Sequence, residues 1–302
     1  MEESIMDENQ QPKITGPSNS RFHSRERDPL TQISFDRMTV IGDLNPRHIK
    51  EFRSFIASNP YVSVLDTKTD YVRAKMYDDL FYLEYDKIKG QSRQRRNMRI
   101  EFNPNHCSED ARNFFVKHIV RLMNDVGFSR LDLALDMEKD LSSFYVASES
   151  RWKSTVFYGL DDKPETKYFG VRDSQRYIRL YDKKRERKHN AEEEITAADL
   201  WRLEFELKRD MVDRWETIAD DLTIKEPDWR DTADIQQRAM VYLLMNDKES
   251  WNDLGNTSKK KYRKIIREME GENITDFVQQ SIKNEAPRLN QELEKWTGHK
   301  LI

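Results

Sequence analysis

Alternating apolar and polar residues predict a series of β-strands between residues 31 and 210. Residues 201–208 show the pattern most clearly, because Leu203, Phe205 and Leu207 alternate with charged residues. Successive side chains of a strand point to opposite faces, so such a segment has one apolar and one polar face. The same period of two predicts strands over 33–40, 61–65, 80–86, 99–103, 131–136 and 176–183.

Apolar residues spaced by three and four predict the helices. After a turn at Gly42 and Asp43, helices are expected over 46–57, with Asn45 as the cap, and over 110–126. Beyond residue 210 the helical spacing dominates, over 211–218, 232–245, 259–269, 274–284 and 288–296. Many connections between strands are too short for parallel crossovers. We therefore expect an α+β fold: a mostly antiparallel sheet with helices on one face, and a helical C-terminal region.

The chain is predicted to have three parts. Residues 1–30 are polar, rich in Ser, Asn, Gln and Pro, and without periodicity, which is typical of a disordered arm. Residues 31–210 form the sheet domain, and residues 211–302 form the helical region. No internal repeat is evident in the sequence.

Composition narrows the class of protein. The 302 residues carry a net charge of −3, and 35% of them are charged, which argues against bulk non-specific binding of nucleic acid. We find no membrane-length apolar run and no signal pattern at the N-terminus, so we expect a cytoplasmic protein without a membrane partner. The single cysteine, Cys107, excludes an internal disulfide framework.

One predicted strand carries candidate chemistry. Residues 176–188 hold seven cations and two acids, and strand parity places Tyr177, Arg179, Tyr181 and Lys183 on one face. A tyrosine that attacks a phosphate needs its proton removed and the phosphate charge neutralised, and two cations flank Tyr181. Both tyrosines remain candidates at this point. Two amphipathic strand residues without any chemistry would give the same pattern.

Carboxylates on the polar faces of the strands predict a site for a hard divalent cation. Mg²⁺ and Mn²⁺ prefer carboxylate oxygens and commonly bind together with phosphates. Asp132 and Asp136 lie two pleats apart, about 13 Å on strand geometry. Asp132 with Glu204 on another strand is therefore the more natural pair of ligands. The alternative is an exposed sheet face with cross-strand ion pairs.

A second basic stretch lies in the helical region. Lys259, Lys260, Lys261 and Arg263 follow the segment 255–258, with Thr257 or Ser258 as the expected cap of the helix. Such a helix presents cations to DNA phosphates or to a major groove, although a solvated helix face explains it equally well. The six histidines form no HxH or HxxxH pair. The chain has no GxGxxG or P-loop pattern, which argues against nucleotide hydrolysis.

Several segments resemble a known family closely. Residues 96–105, 130–134, 163–174, 179–187, 201–204 and 208–212 are similar to those of the Rep-trans replication initiators, in particular the RepC/RepD type of staphylococcal rolling-circle plasmids. The resemblance runs from about residue 15 to the C-terminus.

The resemblance implies an enzyme that nicks DNA. Members of the family are homodimers that bind the double-strand plasmid origin and nick one strand at an extruded hairpin. A tyrosine becomes joined to the 5′ phosphate, in a reaction that needs Mg²⁺ or Mn²⁺. The family's tyrosine precedes the Asn/Asp-Lys-Lys run, which selects Tyr181, with Arg179 and Lys183 as its catalytic neighbours. A superfamily 1 helicase of the PcrA type is then recruited.

The resemblance also suggests where the metal and the origin bind. For the metal we prefer Asp132 and Glu204, then Asp136, then Glu206 and Glu101. The origin-specificity segment falls on about 255–260, where this chain departs from its relatives. The predicted DNA-binding residues are Gly255, Asn256, Thr257, Ser258, Lys259, Lys260, Lys261 and Arg263. A conjugative relaxase, or a non-catalytic DNA-binding regulator with the same fold, are the alternative functions.

Overall fold

A ten-stranded antiparallel sheet organises the chain in this computed structural model, which describes residues 30–88, 96–148, 152–189, 196–247 and 249–298. The predicted arm therefore lies outside the described residues, apart from Leu30. The spatial strand order is β2-β3-β4-β5-β1-β6-β11-β10-β9-β8. The strands are β1 (Leu30–Leu44), β2 (Val62–Lys68), β3 (Tyr71–Met76), β4 (Phe81–Asp86), β5 (Met98–Phe102), β6 (Met123–Met137), β7 (Tyr145–Ser148), β8 (Ser154–Tyr158), β9 (Pro164–Phe169), β10 (Arg176–Asp182), β11 (Trp201–Lys208), β12 (Leu222–Pro227) and β13 (Gly271–Asn273).

The strand order repeats in two halves of the sheet. Each half begins with a 15-residue strand, β1 or β6. Four further strands of the ten-stranded sheet follow each of them, and the last, β5 or β11, pairs back onto it. These closing strands carry similar sequences, Arg-Ile-Glu-Phe at 99–102 and Arg-Leu-Glu-Phe at 202–205. The topology therefore reveals an internal repeat, which the sequence analysis did not detect.

Strand β1 continues through Gly42 and Asp43, so the predicted turn is wrong. Gly42 pairs with Met98 on β5, and Asp43 pairs with Asn124 on β6. A Cβ atom at position 42 would lie 2.5 Å from Cε of Met123 and 3.0 Å from the carbonyl oxygen of Asn124. Glycine is needed here for the close approach of β6, which a glycine signal alone does not distinguish from a turn.

The described α-helices are α1 (Ile49–Ser58), α2 (Glu109–His118), α3 (Lys183–His189), α4 (Ile235–Asn246), α5 (Asn256–Glu268) and α6 (Thr275–Thr297). Helices α1, α2 and α6 pack on the apolar face of the sheet. The ring of Trp296 from α6 packs 4.4 Å from that of Phe102 on β5, and Phe115 from α2 stacks on Phe81 of β4 at 5.0 Å. This aromatic cluster joins the C-terminal helix to the core of the sheet. The α+β prediction is confirmed.

Three predicted helices differ most from the structure in their bounds. Helix α2 ends at His118 instead of Val126, because Met123 already pairs with Leu44 as the first residue of β6. The two helices predicted over 274–284 and 288–296 are one continuous helix, α6, which runs through Pro287. Strands β3, β7, β8, β9, β12 and β13 were not predicted.

A second, three-stranded sheet links the region before β8 to the C-terminal part of the chain. Its order is β13-β12-β7. Lys167 on β9 is buried near it, where its Nζ atom donates to the carbonyl oxygen of Phe144 at 2.7 Å and lies 4.7 Å from the ring centre of Tyr145. Burial lowers the pKa of Lys167 to about 7. Across the described ranges, no helix has the length and apolar character needed to span a bilayer.

Candidate active site

A bulge in β1 adds an acid to the polar face of the sheet. The register of β1 against β6 shifts between Phe35 and Arg37, so Asp36 and Arg37 both lie on the polar face. We did not predict Asp36 as a site residue. The signal was present, because the apolar positions change phase between Phe35 and Met38.

Arg202 on β11 is the centre of a buried ion-pair cluster. Its Nε and Nη2 atoms donate to the two carboxylate oxygens of Asp136 on β6, at 2.5 and 2.8 Å. Its Nη1 atom lies 3.1 Å from Asp36. Arg202 and Asp136 are each only 4% exposed. Both oxygens of Asp136, a predicted metal ligand, are therefore engaged by an arginine in this arrangement.

Tyr181 and Arg179, both on β10, contact the same carboxylate on β11. The Tyr181 hydroxyl donates to Oε2 of Glu204 at 3.3 Å, and Arg179 donates to Oε1. Glu204 is 1% exposed, and burial raises its pKa. Burial, together with the Glu204 carboxylate, raises the pKa of Tyr181 well above its usual range. The site thus holds a protonated phenol against a carboxylate that can accept its proton.

Asp132 on β6 lies beside this pair. The Nε and Nη2 atoms of Arg130 donate to its two oxygens, each at 2.7 Å, and Nη2 also donates to Glu206 at 2.7 Å. Nη2 of Arg179 lies 4.0 Å from Asp132, so this guanidinium contacts both Asp132 and Glu204. Burial also raises the pKa of Asp132. Two buried carboxylates therefore share one arginine. The partner role of Arg130 was not predicted.

One arginine of the site retains a donor without an acceptor. Nε of Arg179 is buried and has no hydrogen-bond partner within the described part of the chain. Nη1 of Arg202 makes no well-aligned hydrogen bond but lies 3.1 Å from Asp36. A buried donor without a partner is destabilising, and charged donors of this kind bind phosphate oxygens strongly. Nε of Arg179 makes the site suited to an anionic, oxygen-rich ligand.

The sequence predicts Lys183 on the strand with Tyr181, but in the structure Lys183 lies outside that strand. Strand β10 ends at Asp182, whose Oδ1 accepts a hydrogen bond from the backbone N–H of Arg185 at 2.9 Å and so caps helix α3. Lys183 is the first residue of that helix. Its Nζ atom lies 5.8 Å from the ring centre of Tyr181 and pairs with Glu186 at 2.6 Å. Lys183 is thus near Tyr181 because the helix begins directly after the strand, and not because the two residues share a strand face.

Three aromatic rings extend the polar face from Tyr181 towards the edge of the sheet. We call them the aromatic row: Tyr177 on β10, Tyr168 on β9 and Phe157 on β8. The rings of Tyr168 and Tyr177 are stacked, 5.5 Å apart, and Phe157 meets Tyr168 edge-on at 5.6 Å. Phe157 is 54% exposed although it is a large apolar side chain.

A basic groove of about 840 Å³ lies on the other side of Asp132. Its lining includes five cations and two acids: Arg96, Arg99, Arg130, Lys208, Arg209, Glu84 and Asp86. The polar face therefore has an aromatic side and a cationic side, with the candidate site between them.

The predicted DNA-binding segment forms the first half of helix α5. The N-terminal cap is Gly255 and not Thr257 or Ser258, because the helix already begins at Asn256. Helix α5 has no buried residue, and Lys260, Lys261 and Arg263 are exposed. Among the described residues, helix α5 has no extensive contact with β6, β10 or β11, the strands that carry the residues around Tyr181.

The carboxylates of the site were compared with the ligands that a metal ion requires. Among the described residues, no group of three or more His, Cys, Asp or Glu side chains is arranged to hold a metal ion. Asp132 and Glu204 are nevertheless the kind of donor that Mg²⁺ uses, since it commonly binds one or two carboxylates together with substrate phosphates. The donor set thus fits a cation that binds with the substrate.

Comparison with known proteins identifies the family. Residues 37–123 match a RepD-like family model described as the N-terminal part of replication initiation proteins. A protein of Staphylococcus aureus named replication initiation protein is 43% identical over 283 residues, which cover 93% of this chain and 91% of that protein. This chain belongs to the replication initiation protein family. The predicted resemblance is confirmed.

A second relative is similar over nearly all of its length. Another Staphylococcus aureus replication initiation protein is 40% identical, over 97% of this chain and 94% of its own. Among solved structures, the Rolling Circle Replication Initiator Protein from Geobacillus stearothermophilus aligns with a TM-score of 0.40 and 14% identity, over 84% of this chain and 97% of that one.

Proposed function

We propose that this protein nicks and rejoins one strand of a plasmid origin for rolling-circle replication, through a covalent bond between Tyr181 and a 5′ phosphate. The observation that supports the proposal is the shared carboxylate of Glu204, which accepts a hydrogen bond from Tyr181 and another from Arg179. A nucleophile, a proton acceptor and a cation for the phosphate are thereby held together by two neighbouring strands.

In this reaction the Tyr181 oxygen attacks the scissile phosphorus while its proton passes to Glu204. The phosphorus–oxygen bond to the 3′ oxygen breaks, and this oxygen takes up a proton from water. The DNA is left with a free 3′-OH, and the 5′ phosphate stays on the tyrosine. Nε of Arg179, which lacks an acceptor, donates to a non-bridging phosphate oxygen. Closing of the strand is the reverse reaction, with the 3′-OH as the nucleophile.

We further propose Mg²⁺ or Mn²⁺ as the cofactor. Asp132 and Glu204 would hold the ion, because both are buried carboxylates that contact the single guanidinium of Arg179. The cation would neutralise charge that develops on the phosphate. Asp136 is the third candidate. Both of its oxygens accept from Arg202, and both oxygens of Asp132 accept from Arg130, so either carboxylate would exchange an arginine contact for the cation.

Other parts of the proposal follow from family membership. We propose that helix α5 recognises the origin, with the exposed cations at its N-terminal half contacting DNA. A homodimer and a PcrA-type helicase partner are proposed from the resemblance. The basic groove beside Asp132 offers five cations for the sugar-phosphate backbone near the site.

A nicking assay on supercoiled DNA that carries a cognate origin, with Mg²⁺ or Mn²⁺, tests the proposal. We expect a covalent protein–DNA adduct that is lost in Tyr181→Phe and still formed in Tyr177→Phe. An adduct that persists in Tyr181→Phe would show that another residue is the nucleophile.

A second variant separates binding from chemistry. Asp132→Asn should bind the origin but not cut it, as measured by gel retardation and by nicking of the same DNA. If the wild-type protein binds the origin and never cuts it, the protein is a non-catalytic regulator. Cleavage at a transfer origin instead would favour a relaxase.

A further inference from the structure

The aromatic row lies on the same sheet face as Tyr181. Tyr168 is paired with Arg179, and Thr166 is paired with Tyr181. Phe157 on β8 is paired with Thr166 in turn. Paired residues of neighbouring strands share a face, so Tyr177, Tyr168 and Phe157 all point to the side of Tyr181.

The row is also close to Tyr181. Phe157 lies two strands away along the line of paired residues, which corresponds to about 10 Å at the usual strand spacing. Tyr177 lies four residues before Tyr181 on the same strand, or about 13 Å away. Only a few nucleotides of an extended strand would separate these rings from a phosphate at Tyr181.

The outermost ring of the row is exposed without an explanation in the packing of the chain, and the two tyrosine rings behind it are half-buried. Phe157 is 54% exposed and contacts the edge of the Tyr168 ring, while Tyr168 and Tyr177 stack on each other outside the core. Cations lie next to the row, since Arg179 and Arg172 both act electrostatically on the Tyr177 hydroxyl. Exposed rings beside cations are the combination that binds single-stranded nucleic acid.

We infer that the aromatic row is a stacking platform for bases of single-stranded DNA next to the scissile phosphate. The platform rests on the proposed function for its ligand. Every base has a π-face, so stacking on these rings would hold the strand with little regard for its sequence. Tyr177, the rival nucleophile in the sequence, then has a binding role. The extruded origin hairpin would supply the unpaired bases.

Binding of fluorescein-labelled oligothymidylate, measured by anisotropy, tests the platform. The protein is the full chain with Tyr181→Phe and without divalent metal, so cleavage cannot contribute. We expect Phe157→Ala to weaken binding about 5- to 100-fold, and Phe157→Trp to restore it. Tyr61→Ala is the matched control, because Tyr61 is 53% exposed but lies next to β2 at the opposite edge of the sheet.

An abasic oligonucleotide of the same length separates stacking from other causes. Phe157→Ala should not weaken binding of the abasic strand, since that strand has no rings to stack. Equal losses on both strands, or no loss on oligothymidylate, would overturn the inference. The outcome is independent of the nicking assay: a protein that forms no adduct but loses base-dependent binding in Phe157→Ala would refute the proposed chemistry and retain the platform.

Discussion

The ion pair between Arg202 and Asp136 leads to a quantitative prediction. Asp136→Asn keeps the volume of the side chain and removes its charge. Breaking one partner of a buried ion pair commonly costs about 3–5 kcal/mol, because the other charge is left without compensation. Two features of the site reduce the loss: the amide oxygen of asparagine can still accept one bond, and Asp36 remains 3.1 Å from Arg202. We therefore expect a loss of about 3 kcal/mol.

Urea denaturation followed by tryptophan fluorescence measures this loss, since the chain contains six tryptophans. Asp221→Asn is the matched control. Asp221 also binds both nitrogens of an arginine, Arg176, at 2.5 and 2.7 Å, but its side chain is 41% exposed. The Arg176 side chain is 14% exposed, so this pair is only partly buried. Exposed pairs contribute about 0–1 kcal/mol, so the control should lose less stability than Asp136→Asn.

The same variant also distinguishes an ion-pair role from metal binding. If Asp136→Asn loses nicking but less than about 1 kcal/mol of stability, then Asp136 binds the metal and not chiefly Arg202, and the reasoning from the buried pair is wrong. A large loss of stability in both Asp136→Asn and the Asp221→Asn control would show that burial does not decide the difference.

Two further predictions concern the core and the junction of the two sheets. Trp296→Ala should lower the free energy of unfolding by about 3–5 kcal/mol, because the ring of Trp296 packs on Phe102 in the buried cluster. Leu160→Ala is the control: Leu160 is fully exposed, so its replacement should change the free energy of unfolding by less than about 0.5 kcal/mol. Lys167→Met should alter the pH dependence of stability. The unfolded chain keeps the lysine proton up to about 10.5 and the folded chain only up to about 7, so wild-type stability should rise with pH between these values. Urea titrations at several pH values should show that this rise is smaller in Lys167→Met, and an equal rise in both proteins would contradict the assigned burial.

The sheet was largely predictable from the sequence, because alternation reports directly on a half-buried strand. Strand β11 has the predicted bounds, Trp201–Lys208. Strands β8 and β9 escaped detection since neither alternates cleanly: β9 places the buried Lys167 among apolar neighbours, and β8 is an exposed edge strand without any fully buried residue. Long-range pairing, which the sequence does not display, is what makes them strands.

The candidate site was predictable in its members but not in their partners. Parity placed Tyr181, Arg179 and Glu204 on polar faces, and the structure brings them into contact. Parity could not show that Asp136 accepts hydrogen bonds from Arg202. Nor could it show that a bulge brings Asp36 into contact with the same arginine. Such details depend on register, which is set by the pairing of distant strands.

The central pairing of the sheet determines how its two halves are aligned. Strands β1 and β6 are the only link between the halves within the ten-stranded sheet, and their pairing contains four shifts of register. In a regular ladder, a slip by one residue would exchange the polar and apolar faces and move Asp36 away from Arg202. Irregularities at fixed positions fit their partner strand in one alignment only. The bulges therefore fix the alignment of the two halves and keep an acid of one half, Asp36, in contact with Arg202 of the other.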